Sequence, residues 1–156
     1  MEQGDCRSAV RECEGGRRAT AADVLADDVV ALDQMLERVE GPVVVAGNAY
    51  AGAVIAASSN EKVASLVYVA ALAPDEGKTV GDIGVPVRRP AWKDRPSWFL
   101  VAEEDRMIVA EKQRFMAERM KARVHTAPTD HMPMVTAPSA VVDIVLEAVR
   151  EAGSHR

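Results

Sequence analysis

The stretch PVVVAGNAYAGAVIAA, residues 42–57, has the order of an apolar strand, a tight turn and a small-residue helix. Its centre, GNAYAG at residues 47–52, has the spacing of a G-x-S-x-G nucleophile elbow, whose outer small residues let strand and helix approach closely. The central residue is Ala49, and a methyl group cannot attack a carbonyl. The stretch predicts a strand-turn-helix of a parallel sheet, although small-x-small patterns are common and packing alone also accounts for the hexapeptide.

Two later segments place an acid and a histidine after predicted strands. The apolar run SWFLVA, residues 97–102, leads into Asp105, and the run RVHTA, residues 123–127, leads into His131. The chain order is therefore elbow, acid, histidine.

This order and its sequence context resemble the α/β-hydrolase superfamily, in particular its small esterase-like members, from roughly residue 20 to residue 151. The resemblance lies in GNAYAG set against a G-H-S-Y-G-G elbow, in VYVAALAPDEG at residues 67–77, and in EDRMI at residues 104–108 before the helical run QRFMAERM. Several such runs in register make the match fairly specific.

The resemblance assigns site residues one by one. It implies that Ala49 takes the place of the nucleophile, Asp105 that of the acid and His131 that of the base, with the Tyr50 backbone amide as one oxyanion donor. Asn48 stands where the family often has His. A histidine held by a carboxylate is a base with a fixed tautomer. The alternative is that His131 only ends a strand and packs with neighbouring methionines.

Two further residues are candidates for ligand binding. Asn48 precedes the elbow centre, and Asp75 is a loop carboxylate near a strand end that would face the site. His125 lies within a predicted strand and His155 in the tail, so neither is expected in the site.

The length of 156 residues is short for the family that the chain resembles. The resemblance implies that the strands preceding the elbow, one of which supplies half of the oxyanion hole, are absent. The resemblance also implies that the helical cap of many members is absent, since only residues 76–96 are available for it. We therefore expect an α/β protein with a partial α/β-hydrolase-like three-layer fold, a parallel sheet of about four strands, and no cap.

Apolar runs and helical periodicity divide the chain into elements. Continuous Val-rich strands that alternate with helices predict a parallel sheet covered on both faces, with the strands side by side in sequence order. The expected strands are 43–46, 64–71, 98–102 and 124–127, and the expected helices are 20–39, 109–121 and 139–152. Residues 1–19 are expected to be a poorly ordered leader, residues 20–152 the domain, and residues 153–156 a tail.

The first strand is expected at the edge of the sheet, although its apolar sequence is typical of a central strand. A long apolar edge promotes aggregation unless something covers it. Either a second copy pairs there, which predicts a homodimer, or the leader folds over it.

Composition excludes several classes of partner. The net charge of −5 offers no basic field for phosphates, so we expect no nucleic-acid partner. No segment approaches the roughly 18 apolar residues of a membrane span, and the amino terminus lacks an apolar signal core, so we expect a cytoplasmic protein with no membrane contact. Cys6 and Cys13 have no second pair and are expected to be free thiols. We expect neither a metal site nor a cofactor.

Three functions remain open for a hydrolase-like chain without the serine. The first is binding of a small apolar ligand or a partner without ester hydrolysis. The second is a non-covalent enzyme of hydrolase, lyase or isomerase type, in which His131, held by Asp105, is a general base on a C–H group or on water. The third is a truncated structural fragment stabilised by oligomerisation.

Overall fold

The computed structural model of the chain describes residues 21–77 and 87–154. In chain order the helices and strands are α1 (Ala21–Glu37), β1 (Val43–Ala49), α2 (Ala51–Ala57), β2 (Val63–Ala71), β3 (Ser97–Ala102), α3 (Ala110–Arg119), β4 (Arg123–Ala127), α4 (Pro133–Thr136) and α5 (Pro138–Ser154). A short 3₁₀ turn, Ala91–Lys93, precedes β3. The expected leader, with Cys6 and Cys13, and His155 lie outside the described residues.

The four strands form one parallel sheet in the order β1-β2-β3-β4, which confirms the predicted topology. Strands β2 and β3 are interior, and nearly all of their residues are buried, as their continuous apolar sequences require. Strand β1 has a neighbour on one side only among the described residues. Its residues Val43, Val44 and Val45 are half-buried and Ala46 is exposed.

Helices cover both faces of the sheet and create the expected three layers. One face packs Leu36 of α1, Ile55 of α2 and Met116 of α3 against strand residues such as Phe99. On the other face, Ile144 of α5 packs with further strand residues. The fold is therefore α/β with a four-stranded parallel sheet, in agreement with the expectation.

Steric crowding explains why small residues are needed around the turn after β1. A Cβ added at Gly52 would lie 2.3 Å from the Leu72 carbonyl oxygen, and one added at Gly47 would lie 2.9 Å from the Ala51 carbonyl. Neither position has room for a side chain. The close approach of strand and helix that the hexapeptide predicts is thus confirmed.

The ends of several elements differ from the expected ones. Helix α1 ends at Glu37 rather than at Val39, because the amides of Arg38 and Val39 bond carbonyls three residues back in a tighter turn. Helix α5 continues through Gly153 to Ser154, whereas a tail was expected from residue 153. The short helix α4 was not predicted.

None of the helices in residues 21–77 and 87–154 combines the length and the apolar character needed to cross a membrane.

Candidate active site

The turn after β1 keeps the backbone geometry of an elbow although its central residue is alanine. Ala49 has φ of +49°, in the left-handed region that non-glycine residues rarely adopt. The Leu72 amide donates a hydrogen bond of 2.9 Å to the Ala49 carbonyl and helps to hold this conformation. On the adjacent strand, Ala70 has φ of +45°, and the pairing skips this residue, so that Val69 pairs with Asn48 and Ala71 with Ala49. An irregularity of this kind changes the direction of strand residues, here at the carboxyl ends of β1 and β2.

The structure brings Asp105 and His131 into direct contact. The Nδ1 atom of His131 lies 2.7 Å from Oδ2 of Asp105. The Asp105 side chain is fully buried, whereas the His131 side chain is 15% exposed. The expectation that these two residues lie within hydrogen-bond reach is confirmed.

The Asp105 carboxylate accepts hydrogen bonds at both oxygens. Oδ1 accepts from the amides of Met107 at 2.7 Å and Ile108 at 3.0 Å, in the turn that leads toward α3. Oδ2 accepts from the side-chain amide of Gln113 at 2.9 Å, in addition to His131. A buried carboxylate is tolerated only when its oxygens are satisfied in this way.

The ring of His131 presents its second nitrogen as a free base. Because Nδ1 donates to a carboxylate, the neutral imidazole has its lone pair at Nε2. Within the described part of the chain, no group bonds Nε2. His131 lines an open cavity of about 640 Å³ together with residues from the loops after β3 and β4, namely Glu103, Glu104, Asp105, Arg106, Met107, Asp130 and Met132.

Asn48 connects the elbow to the loop that carries the histidine. Its side-chain amide donates to the Val69 carbonyl at 2.9 Å and to the His131 carbonyl at 3.3 Å. Both amide protons are therefore engaged within the protein. The structure places Asn48 beside His131, as a group that holds the histidine loop against the elbow.

Tyr50 follows the elbow centre, and its backbone amide precedes the start of α2 at Ala51. Its phenol hydroxyl donates to Asp28 of α1 at 2.8 Å. Burial, followed by the hydrogen bond and charge of Asp28, raises the pKa of Tyr50 to about 12. The phenol therefore stays protonated at neutral pH and is not a base.

Asp75 is held by cations of neighbouring segments. Its carboxylate lies 3.6 Å from Nζ of Lys93 and 3.9 Å from Nε of Arg119. The backbone amide of Glu76 contributes most to lowering the pKa of Asp75, burial opposes it, and the charges of Arg119 and Lys93 add to the lowering. Asp75 is not among the residues that line the cavity at His131.

Gln113 is the site residue that sequence reasoning missed. It lies on α3 between the buried residues Ala110, Met116 and Ala117, and it is itself fully buried. The sequence signal for Gln113 is a polar side chain at a position of the apolar face of α3. Such a side chain indicates a hydrogen-bonded group, because a buried amide needs partners. The helical pattern does not identify Asp105 as the partner, because their contact depends on how the loop after β3 folds.

The remaining described histidine lies elsewhere, as expected. His125 of β4 bonds Glu147 of α5 at 2.7 Å. Across residues 21–77 and 87–154, no group of three or more His, Cys, Asp or Glu side chains is arranged to hold a metal ion.

The fold resembles those of several solved hydrolases. A pyrethroid hydrolase from Sphingobium faniae matches with a TM-score of 0.66 and 17% identity, over 86% of this chain and 81% of that chain. A methylesterase from Arabidopsis matches with a TM-score of 0.63 and 14% identity, over 84% and 78% of the two chains. Polyneuridine aldehyde esterase matches with a TM-score of 0.62 and 16% identity, over 82% and 79%. At these identities the likeness shows the fold.

A sequence comparison matches part of the chain to a protein family. Residues 77–144, which include Asp105, Gln113 and His131, match the Alpha/beta hydrolase family. No curated protein matches the chain by sequence. The family match over residues 77–144 agrees with the fold, which is similar to that of α/β hydrolases over most of the chain.

Proposed function

We propose that the protein binds a small carbonyl compound beside His131 and transfers a proton there without forming a covalent intermediate. The observation that carries the proposal is the contact of 2.7 Å between His131 Nδ1 and Asp105 Oδ2, with Nε2 unbonded by the described residues. The similar proteins are named as hydrolases and esterases, which supports a ligand with a carbonyl group.

The proposed chemistry begins with a proton moving to Nε2 of His131. The donor is either a C–H group next to the carbonyl, which leaves an enolate, or a water molecule, whose oxygen then adds to the carbonyl carbon. In both cases the Asp105 carboxylate stabilises the imidazolium, which returns the proton to the enolate or to the leaving group. General base catalysis of this kind contributes about 10²- to 10⁴-fold.

Covalent ester hydrolysis fits the site poorly because the elbow centre has no hydroxyl. Loss of the nucleophile in a serine hydrolase costs on the order of 10⁶-fold. The serines nearest in sequence do not replace it. Ser58 follows the far end of α2 and donates its hydroxyl proton to Asp33 of α1 at 2.7 Å.

A second candidate function is binding without turnover. It is favoured by the methyl group of Ala49 at the elbow and by two exposed methionines on the cavity wall, Met107 and Met132. These apolar groups could contact a small apolar ligand, and binding of this kind needs no base. The two candidates differ in whether a proton is transferred at His131. Where the donor is a C–H group, the bound ligand exchanges that proton with solvent.

Deuterium exchange distinguishes the two candidates. Phenylacetone, a small apolar ketone with exchangeable C–H groups, is incubated in D₂O with the protein, and loss of its proton signals is followed by NMR. We expect exchange above the buffer rate for the parent and for the control His125→Gln, and a rate close to that of buffer for Asp105→Asn. Saturable binding of phenylacetone with exchange at the buffer rate would support binding without turnover and contradict proton transfer from a C–H group.

A further inference from the structure

The amide of Gln113 joins three parts of the site in the interior of the protein. Its Nε2 atom donates to Asp105 Oδ2 at 2.9 Å and to the Ile108 carbonyl at 2.6 Å, and its Oε1 atom accepts from the Ala102 amide at 3.0 Å. All the hydrogen-bonding groups of its NH₂ and at least one lone pair of its oxygen are thus used. The end of β3, the loop that follows it and α3 are fastened together by this one side chain.

We propose that Gln113 is a positioning residue, which fixes the rotation of the Asp105 carboxylate so that Oδ2 is presented to Nδ1 of His131. The role serves the proton transfer proposed above. Gln113 does not line the cavity at His131, and it acts through Asp105.

The two carboxylate oxygens of Asp105 accept four hydrogen bonds, two at each oxygen. The backbone amides of Met107 and Ile108 bond only Oδ1 of Asp105. The position of Oδ2 is therefore set by the groups that bond Oδ2. Those partners are the donors of His131 and Gln113. Since the histidine ring sits partly exposed on a loop, the buried amide is the fixed donor of the two.

The chemistry of the position requires an amide. An apolar side chain of similar size would leave the Ala102 amide and Oδ2 without their buried partner, and unsatisfied buried groups are costly. A carboxylate would keep an acceptor for Ala102 but would place a second negative charge beside Asp105. Glutamine has the donor that Asp105 needs at one atom and the acceptor that Ala102 needs at the other.

The test reads the His131 ring by NMR and needs no turnover. In the parent, the proton on Nδ1 is expected as a far-downfield signal, because it is hydrogen-bonded to a carboxylate and shielded from solvent, and Asp105→Asn should remove it. We expect Gln113→Met to lose or broaden this signal while the fold is kept. The matched control is Ala117→Gly, which weakens the same helix at a buried position without contact to Asp105, and which should keep the signal.

Gln113→Glu covers the case in which Gln113→Met does not fold. It preserves the shape of the side chain and the acceptor for the Ala102 amide, and it should also lose the signal at neutral pH. An unchanged signal in a folded Gln113 variant, or an equal loss in Ala117→Gly, would overturn the positioning role. Because the signal does not depend on a ligand, its loss in the Gln113 variants would support positioning even if the parent failed the exchange assay.

Discussion

Ala49 and His131 define what this site can do. Ala49 retains the left-handed backbone of a nucleophile elbow, at φ of +49°, with a side chain that has no nucleophilic atom. His131 retains the contact with Asp105 that orients a base. The chain therefore retains the backbone of the elbow and the contact between acid and histidine, with only two of the three reacting groups of a triad, and this combination is why we propose proton transfer without a covalent step.

The missing hydroxyl gives a prediction for Ala49. Mixed with p-nitrophenyl acetate, the parent should show no burst of p-nitrophenol and no acetyl adduct by intact-protein mass spectrometry, because no acyl-enzyme forms at a methyl group. Ala49→Ser supplies the comparison. A burst that is stoichiometric with the parent protein would refute the prediction.

At the scale of the elements, ion pairs and capping contacts hold the helices against the sheet. Helix α5 is fastened to β3 and β4 by Glu147, whose carboxylate accepts from the Trp98 indole at 2.9 Å and contacts His125 at 2.7 Å. Lys62 caps the carboxyl end of helix α1 by donating hydrogen bonds to three backbone carbonyls. Both residues lie outside the candidate site, so substitutions of Glu147 and Lys62 measure the stability of the fold separately from the proposed chemistry.

Glu147 should make stability fall in acid. The hydrogen bond from Trp98 lowers the pKa of Glu147 below its ordinary value of 4.5; burial opposes the lowering, and the hydrogen bond and charge of His125 and the charge of Arg123 add to it. A lowered pKa in the folded state contributes stability above the unfolded value, and the contribution is lost as the pH falls through the folded value. Glu147→Gln should therefore lower the urea midpoint at pH 7 and flatten its dependence on pH below 4.5.

The control for this measurement is Glu118→Gln, at an exposed position of α3. It should leave both the midpoint and its pH dependence nearly unchanged. Equal behaviour of the two variants would show that the Glu147 contacts do not stabilise the fold.

Lys62 should stabilise the end of α1. Its Nζ atom donates to the carbonyls of Leu36, Glu37 and Val39 at 3.0, 2.9 and 2.9 Å, at the end of the helix where the dipole favours a cation. Lys62→Met should lower the free energy of unfolding by roughly 1 kcal/mol, measured by urea denaturation. Lys112→Met, on the exposed side of α3, is the control, and a loss as large there would contradict the capping role.

At the scale of the whole molecule, the sequence predicts the buried strands, which have a continuous apolar pattern. It does not predict the side-chain hydrogen bonds that join distant segments. Strands β2 and β3 followed from continuous apolar runs, because an interior parallel strand has no polar face. The approach of Asp105 to His131 followed from their order after adjacent strands. The partners of Asn48 and Gln113 did not follow, since a side-chain amide gives no periodic signal and its bonds are set by loops that the pattern leaves undefined.

Among the described residues β1 pairs on one side only, and this gives a prediction for the assembled state. Val44 lies beside an apolar recess of about 210 Å³, which it lines with Pro42 and the α5 residues Val149, Ala152 and Gly153. An apolar strand with one free edge favours pairing with a second copy. Light scattering at micromolar concentration should give a mass above the 16.8 kDa of the monomer.

Val44→Lys should lower this mass and the stability together, whereas Val142→Lys, on the exposed side of α5, should leave the mass unchanged. A stable monomer across the concentration range would rule out self-association of this chain.

The role of His131 as the base is measured by the ratio of two exchange rates. The phenylacetone assay in D₂O is run with the parent and with His131→Ala at equal concentration, and the buffer rate is subtracted from each. If His131 removes the proton, the parent should exceed the variant by about 10²- to 10⁴-fold, which is the usual contribution of a general base. A ratio near one, with both proteins folded and binding the ketone, would contradict the assignment of His131 as the base.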